Sequence, residues 1–140
     1  MKTLRSILFV LAAILIVPAA RAQQNGVKAN VPFDFIVGDR AYPAGEYVLK
    51  AALNTGGTIR MENVQEVSAV FVSSNPCENR KPPTESKLVF HRIAGRYFLY
   101  QVWTAGNLTG REFPMSRAEV ELARNHEQPE LVVLAAAISR

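Results

Sequence analysis

Two runs of strand-forming residues, KLVFHRI at positions 87–93 and YFLYQVW at positions 97–103, dominate the middle of the 140-residue chain. Aromatic and β-branched residues favour β-strands, and a turn at Ala94 would join the two runs into a hairpin. Alanine is unfavourable in a primed two-residue turn. Apolar groups occupy both faces, which predicts a central hairpin covered on both sides. The predicted cross-strand pairs are Phe90 with Leu99 and His91 with Phe98.

Four further strands are predicted before the hairpin. The first, at residues 31–37, shows the alternation of a half-buried strand. Pro32 places it at a sheet edge, because proline donates no hydrogen bond. A type I turn over residues 42–45 leads into the next strand, and the spacing of the strands is typical of a sandwich or a barrel. The four strands span residues 31–37, 47–53, 58–62 and 67–73.

Residues 74–86 interrupt this pattern, because they contain almost no apolar side chains to bury. Loops of this length without structure of their own are uncommon and are either functional or disordered. Paired prolines and mixed charges require no binding partner, so we predict an exposed, mobile loop. Cys77, the sole cysteine, lies in this loop. We expect a free, solvent-accessible thiol, which in an oxidising compartment could pair between chains.

One short helix is predicted after the hairpin. Ser116 and Glu119 have the spacing of a capping box, in which the hydroxyl accepts from the amide of Glu119 and the carboxylate reaches back to the amide of Ser116. Asn125 is a suitable residue to end the helix. The apolar tail at 131–138 is predicted as a last buried strand, although three consecutive alanines leave a helix open.

These elements predict an all-β fold, either a small antiparallel β-sandwich or a barrel, with about seven strands and one short peripheral helix. A secretory signal peptide precedes it: basic residues, an apolar run at 7–17, and small residues at Ala20 and Ala22. An eleven-residue helix rises only about 16 Å, roughly half of a bilayer core, which argues against an anchor. We therefore expect residues 1–22 to be removed on export to the periplasm or cell exterior, and residues 23–140 to form one domain.

The charge balance depends on this cleavage. The whole chain has 16 Lys and Arg against 12 Asp and Glu, a net charge of +4. Three basic residues and no acidic ones lie in the signal peptide, so the mature chain has 13 (16 minus 3) against 12, or about +1. Nucleic-acid binding requires clustered positive surface, so we expect no nucleic-acid partner. The apolar C-terminal tail is too short to span a membrane, so we expect no stable membrane insertion of the mature chain.

Five short motifs occur between residues 28 and 124: VPFxFxVG at 31–38, PAGxY at 43–47, LVFHR at 88–92, YFL at 97–99 and GRE at 110–112. Together they resemble a family of small exported bacterial β-rich proteins of unknown function. The resemblance implies export and a β-rich domain. It implies no activity, cofactor or catalytic residue.

Few residues have the spacing of a catalytic or metal site. His91 and His126 are the only histidines, and no cluster of His, Cys, Asp or Glu has ligand spacing. No nucleophile elbow, phosphate loop or dinucleotide fingerprint is present. We therefore predict no metal, cofactor or catalytic residue. Five aromatic and cationic residues have two interpretations. They form a contact patch, or the aromatic rings belong to the core and the charged groups lie around it at the solvent. The five are Arg92, Arg96, Tyr97, Tyr100 and Trp103.

These features favour an exported, non-catalytic module that acts through a protein or envelope partner. The second hypothesis is a small apolar-ligand carrier with a barrel interior, and the third is an enzyme of unrecognised class. A carrier requires a cavity lined by interior residues, whereas in a sandwich the same residues close against each other. The residues that distinguish the two are Phe33, Phe35, Tyr47, Leu49 and Phe90.

Overall fold

The computed structural model describes residues 25–52, 56–125 and 128–140. Within these ranges the fold is mostly β, as predicted, with eleven strands and one short helix. No helix in the described ranges has the length and apolar character needed to cross a membrane. The predicted signal peptide at residues 1–22 and His126 lie outside the described residues.

The elements are numbered along the chain. They are β1 (Gly26–Val31), β2 (Phe35–Val37), β3 (Arg40–Tyr42), β4 (Gly45–Ala51), β5 (Thr58–Asn63), β6 (Ser68–Ser73), β7 (Asn75–Glu78), β8 (Ser86–Ile93), β9 (Arg96–Trp103), β10 (Thr109–Glu112), α1 (Arg117–Arg124) and β11 (Glu130–Ser139).

Nine of these strands form a curled, mixed, half-barrel sheet in the order β3-β2-β9-β8-β11-β1-β4-β5-β6. The prediction of a purely antiparallel sheet is wrong, because β2 runs parallel to β9, with Phe35 opposite Tyr97. The same edge of β9 pairs with β10 farther along, at Gln101 and Val102. About seven strands were predicted. Three of the additional ones, β3, β7 and β10, are short and carry few apolar residues, and the fourth arises because one predicted strand is divided in two.

The segment around Pro32 shows how one predicted strand becomes two. The single strand predicted over residues 31–37 is wrong in its continuity, because β1 ends at Val31 and the chain continues as β2 only at Phe35. Its predicted place at a sheet edge is also wrong, because β1 and β2 each have a neighbouring strand on both sides. Proline has no N–H to donate, so the ladder stops there. The Asp34 carboxylate accepts a hydrogen bond of 2.9 Å from the Ala44 N–H, which holds this crossing segment against the start of β4. The break allows β1 and β2 to pair in different halves of the sheet.

The central hairpin is confirmed with the predicted register, Phe90 opposite Leu99 and His91 opposite Phe98. Ala94 adopts the left-handed conformation at φ 50° and Gly95 at φ 73°, so the turn has positive φ at both central residues despite the alanine. The register shifts between Val89 and Phe90 and leaves Tyr100 as an extra residue in β9. Such a bulge redirects the side chains that follow it.

The loop predicted over residues 74–86 is wrong at its start, where β7 pairs with β10 and Cys77 lies opposite Gly110. This pairing needs only backbone groups, so the lack of apolar side chains did not prevent a strand. It also brings Gly110 against an aromatic ring. A Cβ on Gly110 would lie 2.6 Å from the Trp103 ring, a distance at which two atoms clash.

The helix and the C-terminal strand agree largely with the sequence. The Ser116 hydroxyl accepts a hydrogen bond of 3.1 Å from the Glu119 N–H, which is half of the predicted capping box. Asn125 ends the helix, and its N–H donates to the Leu122 carbonyl. The tail is a strand, β11, so the alternative of a C-terminal helix is wrong. The prediction that this strand is buried is also wrong, because Leu131 is 61% and Val133 56% exposed.

The core is an aromatic and aliphatic cluster inside the curled sheet. The rings of Phe33 and Phe90 meet edge to face, with centroids 5.1 Å apart. Phe35 makes the same kind of contact with Tyr47 at 5.0 Å and with Phe90 at 5.7 Å. Edge-to-face pairs at these distances stabilise a core beyond the area that they bury. The interior residues on which the carrier hypothesis depends therefore contact one another.

Candidate functional site

The five residues of the predicted contact patch are divided between the two faces of the hairpin. Tyr97 packs on the core and stacks against Phe33, with ring centroids 3.7 Å apart. The Arg92 guanidinium carbon lies 5.8 Å from the Tyr97 ring centroid. Because Arg92 is opposite Tyr97 in the β8–β9 register, this pair lies at the rim of the core face.

The other three residues lie on the outer face, the side of the sheet that points away from the core. The Arg96 guanidinium carbon is 5.6 Å from the ring centroid of Phe98. Trp103 is only 6% exposed, since its ring lies against Gly110. Tyr100 stacks on His91. The structure therefore does not bring the five side chains together into one exposed patch.

A buried polar cluster on this outer face ties α1 to the sheet. His91 Nδ1 lies 2.6 Å from Glu119 Oε1, and the two side chains are 13% and 5% exposed. The Tyr100 ring stacks on the imidazole with centroids 4.0 Å apart. Sequence reasoning missed this contact, because the capping-box pattern assigned the Glu119 carboxylate to the Ser116 amide. In the structure that carboxylate contacts a histidine from a strand 28 residues away along the chain.

A second set of hydrogen bonds continues from this cluster toward β10. Trp103 Nε1 donates to Gln101 Oε1 at 3.1 Å, and Gln101 Nε2 donates to Glu112 Oε2 at 2.9 Å. Burial raises the pKa of Tyr100 above its usual value, and the neighbouring Glu112 carboxylate, which Tyr100 also hydrogen-bonds, adds to the rise. Both effects favour the neutral phenol.

Cys77 lies in β7 as a free, half-buried thiol rather than in an exposed loop. Burial raises its pKa, and the negative charge of Glu112 raises it further. Because the thiolate is the reactive form, both effects make Cys77 a poor nucleophile. A hydrogen bond with the Gly110 backbone and the charge of Arg111 lower the pKa of Cys77, but burial and Glu112 outweigh them, so the thiol is not activated as a catalytic cysteine would be.

The outer-face cluster shows no sign of a metal site. Among the described residues, no three His, Cys, Asp or Glu side chains are placed to hold a metal ion. Every deeply buried side-chain nitrogen or oxygen in the described ranges has a hydrogen-bond partner. The cluster has the character of a structural connection between helix and sheet, since its polar groups are used within the protein.

A different feature is the edge of the sheet at β6; β3 forms the other edge. In the described part of the chain, β6 pairs with β5 on one side and has no strand on the other. Phe71, on β6, is 67% exposed. It lines a groove of about 390 Å³ together with Tyr42, Met115 and other residues of β3 and the segment before α1. The sequence predicted this strand but gave no sign that it ends the sheet.

Comparison of the chain with protein families, with curated proteins and with solved structures finds no match. The resemblance to small exported bacterial proteins therefore stays a prediction. Any function proposed for the chain depends on its own sequence pattern and on the geometry of its described residues.

Proposed function

We propose that the protein is an exported, non-catalytic interaction module that binds a protein partner along the free edge of β6. The observation that carries this proposal is the edge of the sheet at β6, where Phe71 is 67% exposed. An edge strand presents unused N–H and C=O groups to a partner strand, and recognition by strand addition uses these groups for affinity.

The filled interior supports a module rather than a carrier. Tyr47, Leu49 and Phe90 are buried within one core cluster, and the ring contacts of Phe35 with Tyr47 and Phe90 occupy the space that a carrier would keep open. A pocket for an apolar ligand would need several hundred cubic ångströms among these residues. The same contacts favour a sandwich over a barrel, because the two halves of the curled sheet close on each other.

The outer-face cluster supports a non-catalytic role. Its histidine is held by a buried carboxylate at 2.6 Å and covered by a tyrosine ring, so little of its surface remains for a substrate. The nearby thiol has a raised pKa. A catalytic pair of this kind would need an accessible, activated nucleophile.

The proposed location is the periplasm or the cell exterior, after removal of residues 1–22. The support is the charge and hydropathy pattern of the N-terminus. The proposed partner is a protein of the envelope, with no role for nucleic acid, since the mature charge of about +1 provides little attraction for phosphates.

The proposal is tested by site-specific photo-crosslinking in a bacterium that exports the chain. Benzoylphenylalanine replaces Phe71 in one strain and Leu131, exposed on β11, in a control strain. We expect protein adducts from position 71 and none from position 131. Absence of a protein adduct at position 71 would overturn the proposal, and so would equal labelling at both positions.

Native mass spectrometry of the purified mature chain tests the carrier hypothesis. We expect the mass of a chain that begins at Gln23, without a bound lipid. A stoichiometric lipid adduct would contradict the module and support the carrier.

A further inference from the structure

We infer that the partner presents a lysine side chain, and that this side chain enters the pocket between β3 and the start of β6. This inference rests on the proposed function and deepens it, because it names the chemistry by which the partner is recognised. It follows from the size of the pocket, from the negative charge at its floor, and from its place beside β6.

The pocket lies where the two ends of the curled sheet face each other. Tyr42 of β3 and Val70 of β6 line it from the two ends of the sheet. Tyr47 and Met61, which line it from β4 and β5, are almost completely buried and therefore form its floor. Glu66, an exposed residue of the turn before β6, also lines it.

The volume of this pocket suits one side chain. It is about 150 Å³, whereas pockets for small-molecule ligands and cofactors measure about 300 to 1,000 Å³. The side chains of Met61 and Val70 and the Tyr42 ring provide apolar surface. A lysine buries its four-carbon stem along such surface and keeps its ammonium at a polar group.

The charge of the pocket favours a cation. Among the described residues that line it, Glu66 is the only charged one. Burial raises the pKa of Tyr47, and the carboxylates of Glu66 and Asp34 raise it further, while a hydrogen bond from Asn63 lowers it. The negative potential of the two carboxylates therefore extends to the hydroxyl of Tyr47 and attracts positive charge.

The neighbouring groove of about 390 Å³ has a different charge pattern. Burial raises the pKa of Tyr42, and the nearby Arg40 partly offsets this rise. Arg40 lines the groove together with Asp39, so the groove has charges of both signs. The pocket has only the acidic sign, which selects the pocket as the place for a cation.

Hydrogen-bond acceptors at the pocket are held in place. The Tyr47 hydroxyl donates to the Pro43 carbonyl at 2.7 Å and accepts from Asn63 Nδ2 at 3.3 Å. Asn63 is only 6% exposed, and its Oδ1 accepts from the Gln65 N–H at 2.9 Å. A carbonyl or hydroxyl oxygen has two lone pairs, so these oxygens can accept again. Separate acceptors suit the three donors of an ammonium better than the planar fork of a guanidinium, which favours lysine over arginine.

The pocket is within reach of a partner bound along β6. Ser68 and Val70 of β6 both line it. Their side chains lie on one face of the strand, since alternate residues share a face, and Val70 packs against the core. In an added strand the residue opposite Val70 points to this same face. A partner on β6 can therefore place a lysine side chain in the pocket.

Titration of the mature protein with n-butylammonium chloride tests the pocket, and n-butanol is the neutral control of the same length. NMR shifts of the Ser68 and Val70 amides follow binding. We expect saturable shifts, and an affinity about tenfold lower in Glu66→Gln, which weakens a charge-assisted hydrogen bond. Glu62→Gln, in the same hairpin but paired with Arg60, should leave the affinity unchanged. The absence of saturable shifts, or equal binding of butanol, would overturn the inference.

Carbodiimide cross-linking tests the lysine in the complex, because the reagent joins a carboxylate to an adjacent amine as an amide. Bacteria that export the chain are treated with it, and the adducts are digested and sequenced by mass spectrometry. We expect an amide between Glu66 and a lysine of the protein that photo-crosslinking captures at position 71. Glu66→Gln should remove this adduct. The absence of a Glu66 adduct with that protein would contradict the inference.

The photo-crosslinking at position 71 separates this inference from the proposed function. A protein adduct there together with butylammonium binding supports both. A protein adduct without butylammonium binding supports the proposed function and overturns the inference. Butylammonium binding without a protein adduct overturns the proposed function and the partner's lysine with it, and shows a site for a free amine instead.

Discussion

The β8–β9 hairpin and strand β6 are built from the same kinds of residue in opposite surroundings. β8 lies between β9 and β11, and its Phe90 has no exposed surface. β6 ends the sheet, and its Phe71 is 67% exposed. The amino-acid composition therefore predicts that each segment is a strand. The position of the strand in the sheet decides whether its phenylalanine stabilises the fold or remains available for contact.

The largest expected effect is the loss of Phe90. Phe90→Ala removes edge-to-face contacts with Phe33 and Phe35 and leaves a cavity, so the free energy of unfolding should fall by about 3 to 5 kcal/mol. This is much of the stability that a domain of this size has. Urea unfolding of the mature protein measures the change.

Phe71→Ala is the matched control for Phe90→Ala, because it removes the same ring from an exposed site. At a protein concentration low enough to exclude association, we expect a change within about 0.5 kcal/mol, as is usual for exposed sites. A large destabilisation of the dilute protein would show that Phe71 belongs to the core and would remove the contrast between the two strands.

The second effect concerns the outer face of the hairpin, where Glu119 joins α1 to His91. Glu119→Ala removes the partner of a mostly buried imidazole and should lower the free energy of unfolding by about 2 kcal/mol. Glu121→Ala, at an exposed site on the same helix, controls for helix propensity. Equal effects of the two substitutions in thermal unfolding would argue against a stabilising role for the His91 contact.

A smaller effect is expected at alkaline pH. Burial raises the pKa of Tyr47 above its usual value of 10.0, while its hydroxyl donates to the Pro43 carbonyl at 2.7 Å. Below that value both the folded and the unfolded tyrosine are neutral. As the pH rises further, the unfolded form loses its proton first, so the free energy of unfolding falls.

Urea unfolding from about pH 9 to 11 should therefore show a steeper loss of stability in the wild type than in Tyr47→Phe. Tyr42 and Tyr100 also have raised pKa values and should leave some slope in the variant. Identical slopes in the two proteins would show that Tyr47 does not contribute to the alkaline sensitivity.

The smallest effect is expected at Cys77. Cys77→Ala should change the free energy of unfolding by no more than about 0.5 kcal/mol, since the thiol is half-buried and outside the core cluster. In the wild type the thiol should react with an aromatic disulfide reagent more slowly than free cysteine, because its pKa is raised. Reaction at the rate of free cysteine would contradict the burial of this strand.

The sequence alone determined the local structure wherever a short-range pattern was strong. The hairpin register followed from two apolar runs and a turn, and the helix start from the spacing of Ser116 and Glu119. The strand character of β5, β6 and β11 followed from alternation and apolar content. These features depend on residues close together in the chain, so their physical causes are visible in the sequence.

Only the tertiary structure decided how these pieces meet. β7 pairs with β10 through backbone groups that carry no sequence signal. The Glu119 carboxylate contacts His91 instead of the Ser116 amide, because folding brings the imidazole within 2.6 Å of it. β6 ends the sheet at one side and β3 at the other, although both are built from short local patterns like those of the inner strands. Pairing partners and free edges depend on contacts between distant parts of the chain, which local periodicity does not encode.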